Sequence, residues 1–103
     1  MTTSLGDLAE LVRSKNAGPF WLTIDVFLAT EHDYIRARNS LLTDPAHIAA
    51  VFEVPASTVR IFTLPNLNAI KVSLPRPHVQ GSLRDTDLHG GQQYVPLLAI
   101  PVD

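Results

Sequence analysis

The sequence predicts a small α+β fold: a mixed or antiparallel sheet of about three to four strands covered by about three helices. Three observations lead there. Residues 20–28 form an apolar β-branched and aromatic run, two further runs flank a four-residue connection at residues 65–68, and helix-capping signals recur ahead of helically spaced apolar residues. At 103 residues the chain is long enough for one hydrophobic core, so residues 1–103 are expected to form a single domain, with a loop-rich C-terminal region at residues 75–103.

Leu5, Leu8, Leu11 and Val12 recur at helical spacing behind Ser4, with Asp7 three residues after that cap, which predicts a helix over residues 4–14. Gly18 and Pro19 stop it. Residues 20–28 read Phe-Trp-Leu-Thr-Ile-Asp-Val-Phe-Leu, apolar at both parities, the pattern of a central strand covered on both sides. Asp25 is the exception and must find donors or a wet pocket there. Thr30 with Asp33 opens a second helix, with Tyr34, Ala37 and Leu41 on one face. Asp44-Pro45 opens a third, carrying Ile48, Val51 and Phe52 and ending at Pro55. Residues 59–64 and 69–74 then read as an antiparallel hairpin. Residues 94–102 are apolar but broken by Pro96 and Pro101, which suits an edge or an extended arm that packs on its own sheet or docks on a partner.

Composition narrows the function classes. The chain is 46% hydrophobic and only 17% charged, which leaves room for apolar surface that meets other proteins. A net charge of -2 and the absence of any run of three basic residues argue against nucleic acid as a partner. Without cysteine there are no disulfides, cysteine nucleophiles or thiolate metal sites. No apolar run nears the roughly 20 residues that cross a membrane, and the N-terminus does not read as a signal peptide, so no membrane contact and a cytoplasmic location are expected.

Four places carry more polar chemistry than their surroundings require. Lys15 and Asn16, in the turn before Gly18-Pro19, can hold an anion or carboxylate, or simply stabilise a helix end. Asp25, buried among apolar residues, has the setting of a general acid unless it is paired. Arg76, stiffened by Pro77, offers a guanidinium fork to a carboxylate or phosphate, and His78 follows it. Residues 85–94 gather Asp85, Asp87, His89, Gln92 and Tyr94 around Gly90-Gly91, where Asp87 and His89 can act as an acid/base couple or supply part of a metal site. The same loop also reads as a flexible polar connection. No metal is assigned to it, and no nucleotide or dinucleotide fingerprint is present, which leaves any cofactor unknown.

The stretches Leu11-Val12-Arg13-Ser14-Lys15-Asn16-Ala17-Gly18-Pro19-Phe20 and Leu22-Thr23-Ile24-Asp25-Val26-Phe27, with Arg76-Pro77 and Gly90-Gly91-Gln92-Gln93-Tyr94, are together similar to a small uncharacterised bacterial family. Its members resemble the C-terminal domain of acyclic-terpene-utilisation-type proteins. The resemblance spans residues 5–98. It implies the small part of a two-part protein whose large partner is an acyclic-terpene-utilisation-type protein, and a lyase or hydratase reaction on a branched carboxylic acid or its coenzyme A thioester. The family lends no catalytic assignment. It adds weight to Lys15, Asn16, Asp25, Arg76 and the Asp87 to Gln92 loop.

The expected function is therefore that of a small subunit in a hetero-oligomeric hydro-lyase. Asp25, Asp87 and His89 would be its proton carriers, and Lys15, Asn16, Arg76 and Gln92 its substrate contacts. The competing expectation is a non-catalytic structural or regulatory partner of a larger catabolic enzyme, and a homo-oligomer remains open.

Overall fold

The computed structural model describes residues 3–76 and 94–102. Its centre is a four-stranded, wholly antiparallel sheet built from β1 (Leu11–Asn16), β2 (Trp21–Phe27), β3 (Arg60–Leu64) and β4 (Ala69–Pro75), in the order β1-β2-β4-β3. Three α-helices accompany it: α1 (Leu5–Leu8), α2 (Glu31–Arg38) and α3 (Pro45–Phe52). This is the small α+β architecture that the sequence predicts, in its antiparallel form.

The first element departs from the expectation. The helix over residues 4–14 is a single turn, capped by Ser4 through a 3.3 Å bond from the Asp7 amide and ended by extended backbone at Ala9. Residues 11–16 are the edge strand β1, paired with β2 from Leu11 opposite Phe27 to Asn16 opposite Leu22. Gly18 makes the connecting turn with φ +86°, a conformation that a side chain would strain, and the Ala17 amide donates to the Trp21 carbonyl at 2.9 Å. Pairing with the apolar strand β2 outweighs the helical spacing of the first leucines.

The later signals hold their places. Thr30 accepts the Asp33 amide at 3.1 Å and Asp44 accepts the Ala46 amide at 3.0 Å, with Pro45 in the first turn of α3. α3 ends at Phe52, three residues before Pro55, because Glu53 turns left-handed at φ 58°. α2 ends at Arg38, so exposed Leu41 falls outside it and Leu42 is the residue that is buried.

Because alternate residues of a strand point to opposite faces, the register sorts every strand residue. Leu22, Ile24 and Val26 of β2, with Ile70, Val72 and Leu74 of β4, face the helices and are fully buried. They pack with Tyr34 and Ala37 of α2, Ile48, Ala49 and Phe52 of α3, and Leu42 between them. Among the described residues no helix lies on the opposite face. Trp21 is 43% exposed there and Phe62 is 49% exposed. Among the described residues the expectation of a central strand covered on both sides is thus met on one side only.

The C-terminal segment is neither an edge strand nor a free arm. Residues Val95–Ala99 form a 3-10 turn that buries Leu97, and the chain then runs beside the N-terminus, with Leu5 donating to Ile100 at 2.7 Å and Val102 to Thr3 at 2.9 Å. Gly6 permits this approach: a β-carbon there would stand 3.2 Å from the Leu98 β-carbon and 3.3 Å from its carbonyl oxygen. Ile100 and Val102 are buried, so the prolines end the segment against its own core.

Candidate functional site

The open face of the sheet gathers the polar chemistry of the strands. Reading across the register, one row runs Leu11, Phe27, Ala69, Leu64, the next Arg13, Asp25, Lys71, Phe62, and the third Lys15, Thr23, Ser73, Arg60. Residues directly opposite on antiparallel strands have β-carbons about 5 Å apart, so each row is a line of touching side chains. Arg13, Lys15, Arg60 and Lys71 are four of the chain's eight Lys and Arg, and Asp25 is one of its ten Asp and Glu. The rest of the chain therefore carries four cations against nine carboxylates. An acidic protein presents a basic face.

Asp25 is 8% exposed, and its carboxylate meets the Arg13 Nε at 3.6 Å across the β1–β2 pair. The Arg13 guanidinium also lies over the Phe27 ring, 5.3 Å from its centroid. Since Arg13 is 59% exposed in its side chain, water screens this pair, and its contribution is about 0.2–1 kcal/mol. Lys71 stands opposite Asp25 on the other side, half-buried, and its side chain makes no ion pair or hydrogen bond among the described residues. The Thr23 hydroxyl one row along is buried without a partner.

Between this charged row and the turn after β3 lies a cleft of about 260 Å³, bounded by Arg13, Asp25, Lys71 and the side chains of Phe27, Leu64 and Leu67. Its walls are mostly apolar. The arrangement can hold an anion against cations while an apolar group rests on Phe27 and the leucines.

The register separates Lys15 from Asn16, which were expected to act together. Lys15 is exposed on the open face, whereas Asn16 points to the helix side. There Asn16 meets Arg76: the Arg76 Nη1 donates to the Asn16 Oδ1, and the Arg76 amide donates to the Phe20 carbonyl at 2.8 Å. Arg76 is 8% exposed. The two residues lie 60 positions apart in sequence, and both carry further interactions.

Asp25 does not join them. Arg76 is held beside Phe20, five residues from Asp25 along β2, which is about 16 Å at strand rise, and on the opposite side of the sheet. His78, Asp87, His89 and Gln92 lie outside the described residues. Arg13 and Lys71, which line the cleft, were not legible as site residues: Arg13 fell in the expected helix over residues 4–14, and a lone cation in a strand, such as Lys71, reads as solvated surface.

No helix among the described residues is long and apolar enough to cross a membrane. No curated protein and no solved structure matches this chain. A family profile does match, over residues 5–101 and hence over both faces of the sheet and the C-terminal segment, and the chain belongs to that family, the domain of unknown function DUF4387.

Proposed function

We propose that this chain is the small subunit of a hetero-oligomeric complex and docks on its larger partner through the open face of the sheet. The observation that carries the reading is the asymmetry of the sheet: one face is sealed by helices, and the other exposes Leu11, Trp21 and Phe62 among four cations. Exposed aromatic and aliphatic groups supply the buried centre of an interface, and the surrounding cations select an acidic partner surface and speed its approach. The packed C-terminal segment leaves this face, and not an arm, as the docking element.

The partner in this proposal is the large acyclic-terpene-utilisation-type protein, and the reaction is a lyase or hydratase step on a branched carboxylic acid or its coenzyme A thioester. Both rest on the sequence resemblance. The placement of Asp25 and Lys71 on the docking face supports a site at the subunit boundary, where a partner would close a cleft too open to exclude water alone. Arg76, with Asn16, belongs to the other end of the sheet and would act only with residues beyond those described.

Native mass spectrometry after gentle purification from the source organism tests the reading. A stoichiometric complex with the large protein is expected, and Phe62→Asp together with Lys15→Glu should abolish it while leaving the chain folded. A complex that survives that double change would overturn docking through this face.

A second reading keeps the docking and drops the chemistry. It is favoured by the placement of Asp25 and Arg76 far apart and on opposite sides of the sheet. Reconstitution decides between them: a complex with Asp25→Asn that assembles and keeps full hydratase activity makes the chain a structural or regulatory partner.

A further inference from the structure

The cleft on the open face has the chemistry of a ligand site. We infer that it binds a small monocarboxylate with a short apolar chain, with Lys71 and Arg13 holding the carboxylate and Phe27, Leu64 and Leu67 contacting the chain. The inference deepens the subunit reading and rests on it for the biological setting, while the binding itself belongs to this chain alone.

Size comes first. At about 260 Å³ and open to solvent on one side, the cleft is below the range of drug-sized pockets and suits a small molecule.

Charge comes second. Among the described residues two cations and one carboxylate border the cleft, so they leave one positive charge there uncompensated. Asp25 engages Arg13 through Nε, and the terminal nitrogens of Arg13 make no hydrogen bond among the described residues. Lys71 has no partner among them either. A single carboxylate placed between Lys71 and the Arg13 fork neutralises the site, whereas a phosphate dianion would leave it negative beside Asp25.

The apolar walls come third. Leu64 ends β3, and Leu67 belongs to the 3-10 turn Pro65–Leu67 that follows. Leu67 is 65% exposed and stands at the rim. An aliphatic chain lying between it and Phe27 would cover apolar surface now in water, at about 25 cal/mol per Å² removed. The left-handed Asn68, at φ 47°, turns the chain back into β4 and so fixes where Leu67 stands relative to Lys71.

The test uses the full chain labelled with nitrogen-15 and three probes of one carbon skeleton: 3-methylbutanoate, its neutral amide and 3-methylbutyl phosphate. Saturable amide shifts around Asp25, Phe27, Ala69 and Lys71 are expected with the carboxylate. The amide should bind about tenfold more weakly, the cost of losing a charge-assisted contact. Lys71→Met should weaken the carboxylate by a similar factor, whereas Lys15→Met, on the same face outside the cleft, should not.

Equal binding of acid and amide, or equal effects of the two lysine changes, would overturn the site. Tighter binding of the phosphate would overturn the assignment of a monocarboxylate. Native mass spectra of Lys71→Met with the large protein separate the two proposals. Loss of the ligand with an intact complex leaves both standing. With the unchanged chain, an intact complex whose small subunit takes no carboxylate removes the ligand alone, and a ligand-binding chain that forms no complex removes the subunit reading alone.

Discussion

The two faces of one sheet follow different rules. On the helix side, Leu22, Ile24 and Val26 alternate with Ile70, Val72 and Leu74 across β2 and β4, all aliphatic and all without exposure. On the other side the same two strands carry Trp21, Thr23, Asp25 and Phe27 against Ala69, Lys71, Ser73 and Pro75. A face that only had to stay in water would not include a tryptophan and two phenylalanines. A face that only had to form a core would not place a buried carboxylate between two cations. The mixture fits the docking face proposed above, wet in the free chain and covered in a complex.

The comparison predicts a steep contrast in stability. Ile24→Ala removes a fully buried side chain from the centre of the helix-covered face and should cost about 2–5 kcal/mol in denaturant unfolding. Leu97→Ala should fall in the same range, because Leu97 is equally buried although it belongs to a segment rich in proline near the chain end. A loss under about 0.5 kcal/mol at Leu97 would mean that the C-terminal segment detaches from the core in solution.

Between the extremes lies the charged row. Removing Arg13 leaves the buried Asp25 carboxylate without its ion pair, but Lys71 stands opposite in the register and can swing to it. Arg13→Met should therefore cost about 1 kcal/mol or less, and the double change Arg13→Met with Lys71→Met should cost more than the sum of the single changes, by about 0.5–3 kcal/mol. A double-mutant cycle checks this. Additive costs would mean that Lys71 does not reach Asp25 and that the row is three separate groups.

How much of this was readable beforehand depends on whether the signal was local. The caps at Ser4, Thr30 and Asp44 and the hairpin around residues 65–68 were legible because each rests on residues within a few positions of one another. β1 was not. Its Lys and Asn are poor strand formers, its Leu11 and Val12 fit a helical period with Leu5 and Leu8, and only pairing with β2 makes it extended. Asp25 stood out because a carboxylate in an apolar run is anomalous wherever it occurs. Arg13 and Lys71 gained meaning only from the register, and the meeting of Asn16 with Arg76 joins residues that no local pattern relates. The open face was unreadable for a further reason. Apolar residues at both parities look alike whether their cover is the chain's own helix or another molecule.

The smallest expected effect is the one that sharpens the comparison most. Phe62 stands at the end of the charged row on the edge strand β3, half exposed, with its ring over no helix. In the free chain Phe62→Ser removes an aromatic group that is largely in water already, so its stability should change by no more than about 0.5 kcal/mol, in either direction. Urea unfolding of the two proteins side by side measures this. If the change costs as much as Ile24→Ala, Phe62 is covered by something in the free protein, and a self-association of the open face is then the first explanation to test by sedimentation. If it costs nothing, the exposed ring contributes little to the fold. Its place on a basic face beside Lys71 then fits the docking role proposed for that face.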